Sequence, residues 1–166
     1  MANSKKKGNR GELELVHILE DRFGKGLFKR VPSSGAYVGG KNRYTNENLS
    51  QEQKETLSSD IITPKNFKFS IEHKFYKDIS FWELFSDKSK WNIWIEQVDS
   101  DSDFVNKKPL LVIKYNGHKR IVLIKENDLL DESIKVYFKW KDRLVVMLSD
   151  LLGLDDKFWF DTTQVQ

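Results

Sequence analysis

The chain is expected to fold as an α/β domain, a central mixed β-sheet flanked by helices, and three features of its pattern point there. An apolar helical stripe opens it at Leu15, Val16, Leu19 and Phe23. A strictly alternating run covers residues 67–75, and an Asn-Gly turn later separates two apolar runs. The order helix, strands, helix, strands is that of an α/β sandwich around a mixed sheet. With 166 residues the chain fits a single domain, 1–166, long enough to bury a core.

Residues 8–24 read as a helix closed by Gly24. Glu12 precedes the apolar positions at helical spacing and so lies on the inward face, whereas Glu14 is read as pointing to solvent. A short strand is expected over 27–31, ending at Pro32, with a small-residue turn at Ser33, Ser34 and Gly35. Residues 37–59 are polar and read as one long surface loop, of a length that in compact domains is functional or mobile. Asp60 opens a strand, and a turn near Pro64 leads into the alternating run as a hairpin. In that run Phe67, Phe69, Ile71, His73 and Phe75 share one face; Lys68, Ser70, Glu72 and Lys74 share the other.

A helical region is expected over 81–98, and 99–103 reads as an acidic, serine-rich loop. Residues 108–115 and 119–125 form a predicted hairpin across Asn116-Gly117. Residues 134–140 alternate again. For 144–152 two readings stand, a strand entering a short helix or a single helix. The tryptophans 82, 91, 94 and 140 are read as core or dimer-interface residues, with base stacking as the alternative.

Composition narrows the function classes. There is no Cys, which excludes disulfides and thiolate zinc sites. His17, His73 and His118 are scattered at no metal-ligand spacing, which argues against histidine-based nuclease chemistry. No apolar run approaches a bilayer's thickness, no phosphate-binding Gly-rich loop is present, and the basic N-terminus lacks the apolar core of a secretory signal. A cytoplasmic location is expected, the host cytoplasm if the chain is phage-encoded. Net charge is only +3, from 28 basic and 25 acidic residues, so its distribution matters more. Lys5, Lys6, Lys7 and Arg10 lead the chain, and Lys25, Lys29, Arg30, Lys41 and Arg43 follow before many acids appear. Such clusters suit DNA phosphates.

The chemistry converges on Glu12, Asp60, Glu72 and Lys74. Residues two apart on a strand project to one face, so Glu72 and Lys74 stand side by side. Carboxylates at adjacent strand ends supply the hard oxygen ligands that Mg²⁺ prefers, and a metal there would neutralise charge on a scissile phosphate and activate water. Lys74 is placed to orient that water or stabilise the leaving charge. Two other acid-x-lysine triplets occur, Glu52-Gln53-Lys54 in the polar loop and Asp155-Asp156-Lys157 near the C-terminus, but neither follows an acid-bearing strand. A plain surface ion pair is the competing explanation of Glu72 and Lys74.

Asp60 followed by Glu72-His73-Lys74 resembles the PD-(D/E)XK nuclease signature, with Ser59 in place of its proline. The run Lys7-Gly8-Asn9-Arg10-Gly11-Glu12-Leu13-Glu14-Leu15 resembles the opening helix of archaeal-type Holliday junction resolvases, and Arg30-Val31-Pro32-Ser33-Ser34-Gly35 resembles their next motif. The resemblance covers roughly residues 7–75, and residues 109–114 look like a late strand in phage-borne relatives. It implies a restriction-endonuclease-like core with Glu12, Asp60, Glu72 and the main-chain carbonyl of His73 as metal ligands. Lys74 would be the catalytic lysine, Arg30 a phosphate contact, Ser33 or Ser34 part of a DNA-touching loop, and Gln97 an accessory residue. Mg²⁺ is the implied cofactor, with Mn²⁺ able to substitute.

The activity implied is the resolution of four-way junctions by paired symmetric nicks, which asks for a homodimer acting on branched double-stranded DNA. Leu13 stands where these enzymes usually have arginine, with Arg10 the candidate replacement, and the 37–59 loop is longer than theirs. Two alternatives follow. One is the same nuclease core with a restriction-like, flap or phage recombination substrate; the other is a non-catalytic DNA-binding protein using the basic face.

Overall fold

A helix with one apolar stripe must bury it, and α1 (Ala2–Phe23) lays Leu15, Val16 and Leu19 against the central sheet. The computed structural model describes residues 2–31, 54 and 58–161, with side chains from Lys6 onward except that of Phe81. α1 begins before the expected residue 8, since the lysine-rich lead-in is itself compatible with helix. It ends at Gly24, whose φ of +130° takes the chain out of the helical region.

β1 (Lys29–Arg30) pairs antiparallel with β2 (Ile61–Ile62), Arg30 opposite Ile61. This corrects the expected hairpin between the Asp60 strand and the Glu72 strand. The ladder of β2 is with β1, and Pro64 two residues on keeps it short. Asp60 still reaches the next strand, its N–H donating to the Ile71 carbonyl at 3.3 Å.

The main sheet contains β3 (Phe69–Tyr76), β4 (Lys108–Tyr115), β5 (Ile121–Lys125), β6 (Phe138–Trp140) and β7 (Arg143–Met147). Its order is β3-β4-β5-β7-β6, with β3 and β4 parallel and every other pair antiparallel. Parallel neighbours need a crossover, and α2 (Lys90–Phe104) supplies it. The Asn116-Gly117 turn joins β4 to β5 with Gly117 at φ +73°, as the hairpin reading expects. Of the two readings for 144–152, the structure takes β7 followed by the short helix α3 (Leu148–Leu151). Asp155 caps the last helix, α4 (Asp156–Trp159), by accepting from the Lys157 N–H at 2.9 Å, which accounts for that acid-x-lysine triplet.

β4 is apolar on both faces because both are covered. Leu110 and Val112 join α1's layer, where Phe28, Phe67, Phe69 and the fully buried Trp159 pack edge to face or stacked. Leu111 and Ile113 join α2's layer with Trp91, Trp94 and Val98. The expected helix over 81–98 is divided: a 3₁₀ turn (Phe81–Phe85) leaves Trp82 exposed, and α2 starts at Lys90. The expected acidic loop over 99–103 is instead the last turns of α2. Ser102 is buried there and Asp99 pairs with the buried Arg143 of β7, a tertiary gain that outweighs weak local helix propensity. Glu14 is likewise not simply solvated: it accepts from Arg120 at 2.8 Å and lies 3.4 Å from Arg10. Among the described residues no helix is long and apolar enough to cross a membrane.

Candidate active site

Strand alternation places Glu72 and Lys74 on the α2 side of β3, with His73 turned toward α1. From α2, Gln97 reaches down between them. Its Nε2 donates to Glu72 Oε1 at 2.8 Å and its Oε1 accepts from Lys74 Nζ at 3.0 Å, while Lys74 also donates to Glu72. Glu72 and Lys74 are therefore a buried, three-way bonded set rather than a surface ion pair; Glu72 is 4 % exposed.

Asp60 enters from the edge of β3, where its Oδ2 accepts the His73 N–H at 2.8 Å. That bond anchors one carboxylate oxygen to the strand carrying Glu72. Glu12 arrives from α1 and accepts from Arg30 of β1 at 3.1 Å, with Asn9 Oδ1 3.4 Å from the same guanidinium nitrogen. The four residues singled out by spacing thus come together at one edge of the sheet, with Gln97 beside them.

Helix α1 approaches β3 closely because Gly11 has no side chain. A Cβ there would lie 2.6 Å from His73 Cε1 and 2.8 Å from Phe75 Cδ1. Gly11, Asn9 and the Glu14–Arg120 pair were not picked out from sequence. A glycine inside a helix beside a candidate acid was the available signal for Gly11.

The basic candidates are placed unevenly. Lys7 and Arg10 cover the Phe75 ring at 4.4 and 5.9 Å, and Lys6 is exposed nearby. Arg30 is half-buried against Glu12 rather than on the open basic surface. Ser33, Ser34, Lys41 and Arg43 lie outside the described residues, as do the side chain of Lys5 and all of the 37–59 loop except Lys54, Ser58 and Ser59.

Burial first, and Asp60's charge second, push the Glu72 carboxyl up to about 8. Glu12 is raised for the same two reasons, against the opposing pull of Arg30. Lys74 is held above its ordinary value: burial works against its charge, but Glu72 and Asp60 outweigh it. Burial and the Asp60 charge thus resist ionisation of Glu12 and Glu72, which a cation would relieve. Among the described residues no three of His, Asp and Glu close a metal cage by themselves, each acid being turned to a protein donor. The donors are carboxylate oxygens, the ligand type that hard divalent cations take.

Residues 3–151 match the family model described as "Phage putative PDDEXK endonuclease". The chain belongs to this PDDEXK endonuclease family. It is 28% identical over 138 residues to Protein D14 of Escherichia phage T5, covering 80% of this chain and 77% of that protein. Among solved structures it is similar to Hjc of Archaeoglobus fulgidus, a Holliday junction resolvase from an archaeal hyperthermophile. That likeness has 16% identity and a TM-score of 0.39, over 89% of this chain and 95% of the other. The protein is accordingly a nuclease of the PD-(D/E)XK kind, a group that generally uses divalent metal ions. Its mixed five-stranded sheet flanked by helices is the α/β core that the sequence led one to expect.

The site gives this nuclease a pH signature when metal-free. Glu72's folded value lies above its unfolded one, so its contribution is fully present below about 4.5 and is lost as pH rises through about 8. His73 is depressed to about 3, chiefly by burial and then by Arg120 and Lys74, so its contribution is lost as pH falls from about 6.5 through 3. From these two groups, thermal stability without metal is expected to be level between about pH 4.5 and 6.5, where they offset each other, and to decline toward pH 8.5. A divalent metal ion should restore more stability on the alkaline side, where Glu72 is ionised. Melting curves at pH 4.5, 6 and 8.5, with and without MnCl₂, check this; an alkaline limb that the Glu72→Gln variant retains would contradict it.

Proposed function

We propose that this nuclease is a Mg²⁺-dependent endonuclease, with Mn²⁺ able to substitute, that resolves four-way DNA junctions. The observation that carries the chemistry is the convergence of Glu12, Asp60, Glu72, Lys74 and Gln97 at one sheet edge. The resemblance of 7-KGNRGELEL-15 and 30-RVPSSG-35 to the opening motifs of resolvases supports the junction substrate.

In this reading Asp60 and Glu72 are the principal metal ligands, aided by Glu12 and the His73 carbonyl. These residues would hold a divalent cation, whose chemistry there would be charge neutralisation at the scissile phosphate and activation of water. Asp60's bond to the His73 N–H keeps that carboxylate in a fixed orientation, which spares reorganisation during the reaction. Lys74, kept protonated by its neighbours, holds a positive charge where the pentavalent phosphate gains negative charge. Gln97 fixes Lys74 and Glu72 relative to each other. Arg30 holds Glu12 near the site until substrate competes for the guanidinium. Lys6, Lys7 and Arg10, with Lys5, Lys41, Arg43, Ser33 and Ser34, serve the phosphate backbone.

The chain acts as one nuclease domain in the host cytoplasm, and paired nicks require two copies. Exposed Val136, Tyr137 and Phe138, leading into and opening the edge strand β6, are a surface on which such a dimer can close.

The test is cleavage of a labelled synthetic four-way junction in Mg²⁺, beside matched duplex and flap DNAs. Paired, ligatable nicks confined to the junction are expected. Preferential cutting of flaps or linear duplex would keep the nuclease site and overturn the resolvase reading.

A further inference from the structure

The face of β3 that carries Glu72 and Lys74 has one more member, Tyr76, at the last position of the strand. α2 meets this row with a helical face of its own, Lys90, Trp94 and Gln97, spaced four and three residues apart. Gln97 bonds Glu72 and Lys74 at one end of the contact. At the other end the Trp94 ring lies 4.7 Å from the Tyr76 ring, and the Lys90 ammonium stands over that ring at 5.2 Å. Lys90 is itself 3.6 Å from Glu83 of the 3₁₀ turn. The helix that fixes the two charged groups therefore fixes the tyrosine as well. Glu72 is buried beneath this contact, whereas Tyr76 remains 37 % exposed, a ring packed on one side with part of its surface in solvent. Burial opposes the Lys74 charge, and the Tyr76 phenol is, with Glu72 and Asp60, among the groups near enough to favour it.

We propose that Tyr76 is a substrate-contacting residue of this nuclease, its hydroxyl donating to a phosphate one or two nucleotides from the scissile one. Two residues of strand separate Tyr76 from Lys74, roughly 6.6 Å. Phosphates follow one another at roughly 3.4 Å of helix axis along each DNA strand, so the spacing matches one or two nucleotide steps. The direction fits as well. Phe75, at the same end of β3 but on its other face, lies under Lys7 and Arg10, so a DNA strand running from Lys74 toward that surface passes Tyr76. A hydroxyl held by packing sets the register of the backbone and carries no sequence information. The inference rests on the reading of Glu72 and Lys74 as the active site, and not on the choice of junction as substrate.

The experiment is single-turnover cleavage by the full chain, below saturation so that binding and chemistry are both read. Its substrate is whichever of the junction, flap and duplex DNAs the parent cuts, with a methylphosphonate replacing one phosphate at a time on either side of the cut. Tyr76→Phe keeps the ring on Trp94 and should melt as the parent does, yet cut unmodified DNA about tenfold more slowly, the loss of one hydrogen bond to a charged acceptor. At one flanking position the methylphosphonate should slow the parent about tenfold and Tyr76→Phe hardly at all; elsewhere the two effects should multiply. Such coupling at a single phosphate is not produced by a tyrosine that only packs. Parent-like cleavage by Tyr76→Phe, or effects that multiply at every flanking position, overturns the Tyr76 assignment. If Glu72→Gln has meanwhile lost cleavage, the site reading stands. Parent-like cleavage by Glu72→Gln overturns the site reading and this inference with it, as does a parent that cuts none of these DNAs.

Discussion

Glu72→Gln is expected to reduce DNA cleavage by at least about 10³-fold while leaving the chain folded. The side chain keeps its shape and an oxygen that can accept from Lys74 and Gln97, so the bonded set on the α2 side of β3 survives. What disappears is an anionic ligand. Losing roughly 4 kcal/mol of charge stabilisation at the phosphate corresponds to that factor in rate. Lys74→Ala should be similarly severe in rate, but it leaves the buried Glu72 without its cation and so also costs stability. Single-turnover cleavage together with far-UV circular dichroism separates the two. Residual cleavage by Glu72→Gln within tenfold of the parent would mean that Glu72 is not part of the chemistry.

Gly11→Val should disable the nuclease from a position that touches no substrate. The added Cβ meets the His73 ring at 2.6 Å and the Phe75 ring at 2.8 Å, and His73 is buried and cannot swing clear. Helix α1 must lift from β3, taking with it Glu12, the next residue. Overpacking of this kind costs about 1–3 kcal/mol. For a chain of this length that lowers the melting temperature by about 2–4 °C per kcal/mol. Cleavage should fall further than stability alone explains, because Glu12 is displaced relative to Asp60 and Glu72. If Gly11→Val cut DNA at the parent rate while melting lower, the close approach would be a packing feature only.

The parts of this fold that were legible in the sequence are those whose signal is local. Residues 67–75 alternate without a break because β3 presents aromatics to α1 and polar groups to α2, and that alternation put Glu72 and Lys74 on one face. Asn116-Gly117 announces its hairpin through the φ > 0 requirement of the turn. The grouping of Glu12 with Asp60, Glu72 and Lys74 could be anticipated because helix and strand periods each predict an inward face. The parts that were not legible depend on distant partners. Nothing near Asp99 indicates that it will meet Arg143, forty-four residues on, so a serine- and aspartate-rich stretch looks like a loop until that pair is seen. The two-residue ladder between β1 and β2 is too short to carry any period. Glu14 looks solvated on a helical wheel because Arg120 comes from the far side of the β4–β5 hairpin.

The metal site is tested most directly by calorimetric titration of the purified chain with MnCl₂ at pH 8, repeated with Asp60→Asn and Glu72→Gln. Saturable binding by the parent is expected, and its loss, or weakening by at least about tenfold, in each variant while both remain folded. Saturable binding that survives both substitutions would place the metal elsewhere. A parent chain that binds no divalent ion, with or without a junction DNA present, would contradict a metal-assisted nuclease site at Asp60 and Glu72.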